Sequence, residues 1–198
     1  MILYHILPLS IYQTWINSKS PSLHAWATQP EEEDSWSWHE AYQWMAGQMR
    51  TRGIHPPQEG IGFWWAWKQW TYDRPKPDLR SRCLKHWGEG PTQRHVMLTL
   101  DKPDHEVLLS DYDAWHFPLN YWYLGDRAKE AAQTVRQWEK EGLDYYRQKP
   151  LLSPMHDRAM RDSWQPIFAL DKAPRRLGYS KKEQSVQATF WELRRQDI

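Results

Sequence analysis

The hydrophobic pattern of this chain changes along its length between the two-residue period of strands and the longer period of helices. Short apolar or alternating segments bounded by proline, glycine or polar clusters predict strands at residues 2–7, 63–67, 94–100, 106–110 and 184–194. Apolar positions at helical spacing predict helices at residues 10–15, 38–51, 126 to about 149, and around 156–170. Because these strands and helices are interspersed, with no repeat or linker, we predict an α+β fold.

We expect residues 1–198 to form a single compact domain, with a small mixed or antiparallel sheet, flanking helices and an aromatic-rich core. Segments rich in proline, glycine, serine and charge predict exposed loops at about 18–34, 71–93 and 171–184. The clearest helix is 38–51, where Ser37-Trp38-His39-Glu40 matches a capping box and places Trp38 at the start of the apolar face.

The amino-acid composition limits the classes of function that the chain can have. The net charge of +1 does not predict a generic polyanion-binding surface. Fifteen tryptophans predict either an aromatic core or a cleft whose walls stack on a base, a nicotinamide or a sugar. Cys83 is the single cysteine, which excludes an intrachain disulfide and suits a reducing compartment. Without a long apolar span or a basic leader, we expect a cytoplasmic protein with no membrane partner.

A polar cluster follows the apolar run 107–109. Ser110 and Asp111 are predicted to bind ribose hydroxyls, with His116 as a catalytic candidate and Asn120 as a cofactor-binding one. The competing interpretation is helix capping by Ser110 or Asp111. The spacing Asp111-x-Asp113-x-x-His116 matches no metal motif, so we predict no metal site.

Other segments resemble an uncharacterised bacterial family, domain of unknown function 3841. The similar pieces span most of the chain in order, and include Tyr42-Gln43-Trp44-Met45, Trp65-Ala66-Trp67, Lys76-Pro77-Asp78-Leu79-Arg80, Val107-Leu108-Leu109-Ser110-Asp111, Trp115-His116, Leu119-Asn120, Trp122-Tyr123-Leu124 and Val186-Gln187-Ala188-Thr189-Phe190-Trp191-Glu192. This resemblance implies membership of a family but no activity.

The start Tyr4-His5-Ile6, followed by Trp15, is similar to small ADP-ribosyltransferase-like proteins, which open on a Tyr-His strand. That resemblance implies an NAD cleft and a catalytic glutamate from a late strand, a place that Glu192 occupies. The sequence departs from the family pattern, since Phe190 stands where a glutamate or glutamine is expected and Ser110 would replace a Ser-Thr-Ser strand. His5 is then a cofactor-binding candidate, or else a buried, hydrogen-bonded strand residue.

Glu192 continues the strand face of residues 186, 188 and 190, so it is predicted to act as an acid or base, or to stabilise a ribosyl cation. The alternative is a glutamate turned outward to Arg194 or Arg195. Arg80 is predicted to hold a pyrophosphate, or else to pair with Asp78. Trp65 or Trp67 would stack on a ring of the cofactor.

Together with these residues, the resemblance to ADP-ribosyltransferase-like proteins implies a nucleotide-using transferase that acts with NAD on a nucleic acid or protein acceptor. One alternative is a non-enzymatic module that binds single-stranded nucleic acid or a nucleobase in a tryptophan-lined cleft, aided by basic loops at 80–85 and 175–182. A second is an accessory factor that binds a protein partner. The sequence contains neither a glycine-rich phosphate loop nor the Gly-x-Ser-x-Gly elbow. It does not determine the oligomeric state.

Overall fold

The computed structural model describes residues 1–26, 36–71, 74–78, 94–144, 147–151 and 153–198. Its strands are β1 (Ile2–Pro8), β2 (Ser22–Trp26), β3 (Ile61–Gly62), β4 (Trp64–Gln69), β5 (His95–Asp101), β6 (Leu108–Asp111), β7 (Val186–Phe190) and β8 (Glu192–Arg194). Its α-helices are α1 (Leu9–Asn17), α2 (Trp36–Thr51), α3 (Tyr112–Leu119), α4 (Ala128–Lys140), α5 (Pro154–Asp162) and α6 (Ala173–Leu177). Short 3₁₀ turns lie at Asp104–Glu106, Gln165–Phe168, Lys181–Glu183 and Arg195–Asp197.

The strands form two antiparallel sheets, which confirms the predicted α+β class. The five-stranded sheet has the order β5-β1-β4-β7-β6, and the three-stranded sheet has the order β3-β2-β8. In the first sheet β1 pairs with β5 along its whole length, from Ile2 opposite Asp101 to Pro8 opposite His95. None of the helices in the described ranges combines the length and the apolar character needed to cross a bilayer.

The residues group into two compact units, and neither is continuous in sequence. The first unit contains residues 1–27, 49–109 and 187–198, and the second contains 28–48 and 110–186. The chain therefore passes from one unit to the other four times along its length.

The first unit is built on a core of aliphatic and aromatic side chains from both ends of the chain. Alternate residues of β1 point into it, so Leu3 and Leu7 are buried while their neighbours are more exposed. The other buried members are Trp15, Ala66, Leu98, Leu100, Val107, Ala188, Phe190 and Leu193. His5 takes the position between the two leucines on this face.

The second unit has an aromatic core. Trp164 is fully buried, its Nε1 donates to Trp122 O over 2.7 Å, and its ring meets Trp44 and Tyr121 edge to face. Trp44 also stacks on Phe168, with ring centroids 5.6 Å apart. These contacts confirm the prediction that the tryptophans and tyrosines supply core packing.

Several predicted helices have different boundaries in the structure. The helix predicted around 156–170 is α5 (Pro154–Asp162) followed by the 3₁₀ turn Gln165–Phe168, and the predicted loop 171–184 contains α6 (Ala173–Leu177). Helix α2 begins at Trp36, so Ser37 lies inside it and the predicted capping box is wrong. Trp38, predicted to start the apolar face, is 57% exposed, whereas Met45 is buried. Helix α4 ends at Lys140, about nine residues earlier than predicted, and Gly142 follows at φ +83°. Glycine tolerates this left-handed conformation, which ends helices.

Other differences concern strands. The segment Ser22–Trp26, predicted as loop, forms β2, in which Leu23 pairs with Leu193. The predicted strand 184–194 breaks at Trp191, because β7 belongs to the five-stranded sheet and β8 to the three-stranded one. Glu192 therefore does not continue the face of Val186, and that prediction is wrong. Of the predicted loop 71–93, residues 72–73 and 79–93 lie outside the described residues.

Candidate functional site

A cavity of about 300 Å³ in the first unit is the candidate site. Three stretches of chain form its walls: the residues that follow α2, the 3₁₀ turn between β5 and β6, and the segment around β8. The lining residues are Gly53, Ile54, His55, Pro57, Lys102, His105, Glu106, Trp191, Glu192 and Arg194. Most of these side chains are ionisable, and they include the predicted catalytic residue Glu192.

Lys102 lies at the base of this site with only 1% of its side chain exposed. Its ammonium group contacts the Asp197 carboxylate over 2.9 Å, the Glu106 carboxylate over 3.0 Å and the backbone oxygen of Glu192 over 3.0 Å. An ammonium has three N–H donors, so these three acceptors satisfy it. The buried charge is thus fully used in holding the turn, β8 and the C-terminal segment together.

Arg194 completes a neutral quartet of two cations and two anions. Its Nη2 donates to Glu106 Oε2 over 2.6 Å, and its Nε donates to Asp197 over 3.2 Å. Burial alone would raise the pKa of the Glu106 carboxyl, but the hydrogen bonds and charges of Lys102 and Arg194 hold that pKa below its ordinary value. Burial alone would lower the pKa of the Arg194 guanidinium, but the carboxylates of Asp197 and Glu106 raise it above its ordinary value.

Glu192 stands on β8 at the wall of the cavity, with 26% of its side chain exposed. It pairs across the sheet with His24 of β2, and its Oε1 lies 3.3 Å from His24 Nε2. The predicted alternative, a glutamate turned to Arg194 or Arg195, is wrong because the Glu192 carboxylate pairs with His24. Arg194 binds Glu106 and Asp197, and Arg195 donates to the backbone oxygens of Trp15 and Ser18. The structure therefore presents a half-buried carboxylate whose backbone is fixed by Lys102.

Trp191 supplies the aromatic wall. Its Nε1 donates to Ile54 O over 2.9 Å, and the guanidinium of Arg50 lies 5.2 Å from its ring. The predicted stacking residues lie on β4 in the same unit, where Trp67 is buried edge-on against Trp70 and half-buried Trp65 meets Phe63. Among the tryptophans in the described ranges, it is Trp191 that lines the cavity.

His5 is buried within the first unit, and its Nδ1 donates to Trp65 O over 2.7 Å. Burial lowers the pKa of its imidazole to about 4, with the Trp65 hydrogen bond opposing the shift. Its ring sits edge-on to Trp64 and Phe190. These contacts favour the alternative interpretation of His5 as a neutral, buried strand residue.

The polar cluster that begins with the last two residues of β6 belongs to the second unit. Asp111 is fully buried, caps α3 by accepting from Ala114 N over 2.9 Å, and accepts from Gln184 Nε2 over 2.9 Å and from the Tyr179 hydroxyl. Capping, the alternative that the sequence left open, is thus what Asp111 does. Ser110 is also fully buried, and its hydroxyl has no partner among the described residues.

His116 and Asn120 lie one turn apart, at the C-terminal end of α3. His116 Nδ1 is 3.0 Å from Tyr112 O, and Asn120 Nδ2 donates to His116 O over 2.8 Å. Both side chains are half-buried. Arg80 and Cys83 lie outside the described residues, so the predicted pyrophosphate contact stays a prediction. In the part of the chain that the structure describes, no group of three or more His, Cys, Asp or Glu side chains could hold a metal ion.

The substitution Asp111→Asn is expected to destabilise the protein by about 2 kcal/mol. The introduced asparagine has one oxygen and one N–H₂ group in place of two oxygens. Either its N–H₂ group faces the Tyr179 and Gln184 donors, or it faces Ala114 N and the capping hydrogen bond is lost. Urea denaturation of the variant without ligand measures this cost. An exposed aspartate of α5 is the control: Asp162→Asn should change stability by less than about 0.5 kcal/mol. Equal stability of the Asp111 variant and the wild type would contradict the capping role.

Sequence reasoning missed Lys102, Arg194 and His24 as site residues. Lys102 follows an apolar strand and precedes Pro103, which is also the pattern of an exposed turn. His24 lies in a segment rich in serine and proline. The one available signal was the pair of charges at 192 and 194, two residues apart on the closing strand, which places both side chains on one face.

Comparison with known proteins gives a family and nothing finer. The family model described as domain of unknown function (DUF3841) matches residues 23–198. No curated protein and no solved structure matches the chain.

Proposed function

The chain belongs to the DUF3841 family, which carries no assigned activity, and we propose from its own site that the protein is a nucleotide-using transferase of ADP-ribosyltransferase type. NAD would be the donor, and the reaction centre would lie at Glu192 in the cavity of the first unit. The observation that carries the proposal is the position of Glu192, a half-buried carboxylate held at the cavity wall.

The charges around the cavity support a cation-stabilising role for this carboxylate. The positive charges of Lys102 and Arg194 are balanced by the negative charges of Glu106 and Asp197. The quartet therefore has no net charge left to balance the carboxylate of Glu192. The C1′ atom of the NAD ribosyl group becomes cationic as its bond to nicotinamide breaks. A fixed carboxylate beside that atom lowers the energy of the transition state without reorganising.

The proposed reaction is a substitution at that carbon. The bond between C1′ and the nicotinamide nitrogen breaks, and nicotinamide leaves with the bonding electron pair. The acceptor nucleophile then bonds to C1′ and gives its proton to Glu192 or to solvent. His55 and His105 are both exposed at the rim, and their ring N–H groups would donate hydrogen bonds to the pyrophosphate. A cytoplasmic location, where NAD is plentiful, is part of the proposal.

The test is NAD turnover by wild-type protein and by Glu192→Gln, with release of nicotinamide as the readout. We expect the variant to lose about a hundredfold or more in turnover. It should keep its melting temperature, since among the described residues the Glu192 side chain pairs with His24 alone, at 3.3 Å. Glu59→Gln is the matched control, because Glu59 is exposed and outside the cavity lining. Full turnover by Glu192→Gln would overturn the assignment.

A ligand panel separates this proposal from the binding module. Thermal-shift titration of the wild type should show stabilisation by NAD or ADP-ribose, because a ligand that binds only the native state raises its melting temperature. Stabilisation by a short single-stranded oligonucleotide alone would instead favour the nucleic-acid-binding module.

A further inference from the structure

A serine, a histidine and a glutamate form a hydrogen-bonded chain in the second unit, in a place that the proposed transferase does not use. The Ser153 hydroxyl lies 2.7 Å from His156 Nδ1, and His156 Nε2 lies 3.1 Å from Glu141 Oε2. Three residues of these types in this order are the parts of a nucleophilic catalytic triad.

The local fold explains how the three side chains meet. Ser153 directly precedes α5 and His156 lies in its first turn, so their separation of three residues puts both on one side of the helix. Glu141 follows the C-terminal end of α4. The imidazole packs edge-on against the buried Trp138, with ring centroids 5.3 Å apart. This contact holds the ring between its two partners.

The hydrogen bond to Glu141 also fixes the tautomer of the neutral imidazole. A carboxylate only accepts hydrogen bonds, so His156 Nε2 carries the proton that it donates to Glu141. In the neutral ring Nδ1 then holds a lone pair, and the Ser153 hydroxyl donates to it. This is the state in which a histidine can remove a proton from a serine.

Glu141 is held in turn by Gln137, whose Nε2 donates to Glu141 Oε1 over 2.9 Å. The hydrogen bonds from Gln137 and His156 hold the pKa of the Glu141 carboxyl below its ordinary value. One oxygen of the carboxylate therefore binds Gln137 and the other binds the imidazole. Gln137 therefore orients Glu141, and Glu141 in turn orients His156.

We propose that Ser153 is a nucleophile for acyl transfer from small carboxylic esters, with His156 as its general base and Glu141 as a positioning residue. Ser153 Oγ bonds to the acyl carbon while its proton passes to His156 Nδ1. The ester C–O bond then breaks, and the proton on Nδ1 passes to the leaving alkoxide. Water repeats both steps on the acylated serine, which releases the carboxylic acid and restores the hydroxyl.

The surroundings suit a small ester that binds at the protein surface rather than in a deep pocket. His156 keeps 14% of its side chain exposed, Ser153 is half-buried and Met155 is exposed beside them. The first backbone hydrogen bond of α5 runs from Asp157 N to Ser153 O. The amides of Met155 and His156 precede it, so they can donate to the oxyanion that forms on the acyl group.

A fluorophosphonate probe tests the nucleophile directly. Ser153 Oγ would form a P–O bond as the P–F bond breaks, fluoride would leave, and the proton would go to His156. We expect mass spectrometry of labelled wild-type protein to find the probe on Ser153. Labelling should disappear in Ser153→Ala and slow by about a hundredfold in His156→Gln.

Ser180→Ala is the matched control. Ser180 also precedes a helical turn, but its Oγ lies 2.8 Å from Glu183 Oε2, so a carboxylate takes the place of the imidazole. This variant should be labelled on Ser153 at the wild-type rate. Labelling of Ser180 and Ser153 at equal rates, or no labelling of folded wild-type protein, would overturn the proposal.

Hydrolysis of p-nitrophenyl acetate separates positioning from folding for Glu141. We expect Glu141→Gln to lower kcat with little change in KM, and Glu141→Asp, which keeps the charge, to recover part of the loss. Circular dichroism checks that each variant keeps its helix content. Unchanged kcat in Glu141→Gln would show that the glutamate does not orient the histidine and would contradict its assigned role.

Discussion

Replacing Lys102 with methionine is expected to lower the free energy of unfolding by about 3–5 kcal/mol. Methionine has a similar length and fits an apolar interior, so the loss comes from charge and not from a cavity. The substitution leaves the buried Asp197 carboxylate without its ammonium partner and the Glu192 backbone oxygen without its donor. Urea denaturation, followed by tryptophan fluorescence, measures the change as a shift of the midpoint.

Two further variants show whether the effect is electrostatic. Lys129→Met removes an exposed lysine of α4 and should change stability by less than about 0.5 kcal/mol. The double variant Lys102→Met/Asp197→Asn should recover part of the loss, because it also removes the stranded carboxylate. If Lys102→Met unfolds at the wild-type urea concentration, the buried Lys102–Asp197 pair does not stabilise the first unit.

Acidification from pH 6.5 to pH 4 is expected to cost the protein about 3 kcal/mol of stability through His5 alone. The imidazole titrates near 6.5 in the unfolded chain and at about 4 in the folded one. Between these values the unfolded state binds the extra proton, so the free energy of unfolding falls as the pH falls. Above pH 6.5 both states are neutral at this position, and the contribution is fully present.

The His5→Gln variant isolates this contribution, since glutamine can still donate to Trp65 O but does not titrate. Its free energy of unfolding, measured between pH 7 and pH 4, should fall less steeply than that of the wild type. His105→Gln, at an exposed position, should keep the wild-type slope. Parallel slopes for wild type and His5→Gln would show that the buried imidazole is not neutral in the way the structure indicates.

The sequence predicted well those elements in which one periodicity holds over the whole segment. The apolar run of β1 and the spacing of Ala41, Met45 and Met49 on α2 each predicted an element that the structure contains. β2 was missed because Ser22-Leu23-His24-Ala25-Trp26 has only a weak alternation, and its strand conformation depends on pairing with β8, far away in sequence.

For the candidate site, one residue could be predicted and its environment could not. Glu192 was identified because it is a carboxylate at the end of an apolar strand. Its partner His24 is 168 residues away, and Lys102 reaches it from a turn that local sequence cannot distinguish from an exposed one. Ser153, His156 and Glu141 were missed for a different reason, since their meeting depends on where α4 ends, which the sequence placed about nine residues too late.

The discontinuity of the first unit has a consequence for its synthesis on the ribosome. β7 lies between β4 and β6 in the five-stranded sheet, yet it comes from residues 186–190, whereas its neighbours come from residues 64–69 and 108–111. A nascent chain that has emerged through β6 can pair β1 with β4 and β5, but β4 and β6 remain without their shared neighbour until β7 emerges. We expect ribosome-bound chains lacking residues 187–198 to be protease-sensitive in the first unit, and chains in which these residues have emerged to become resistant.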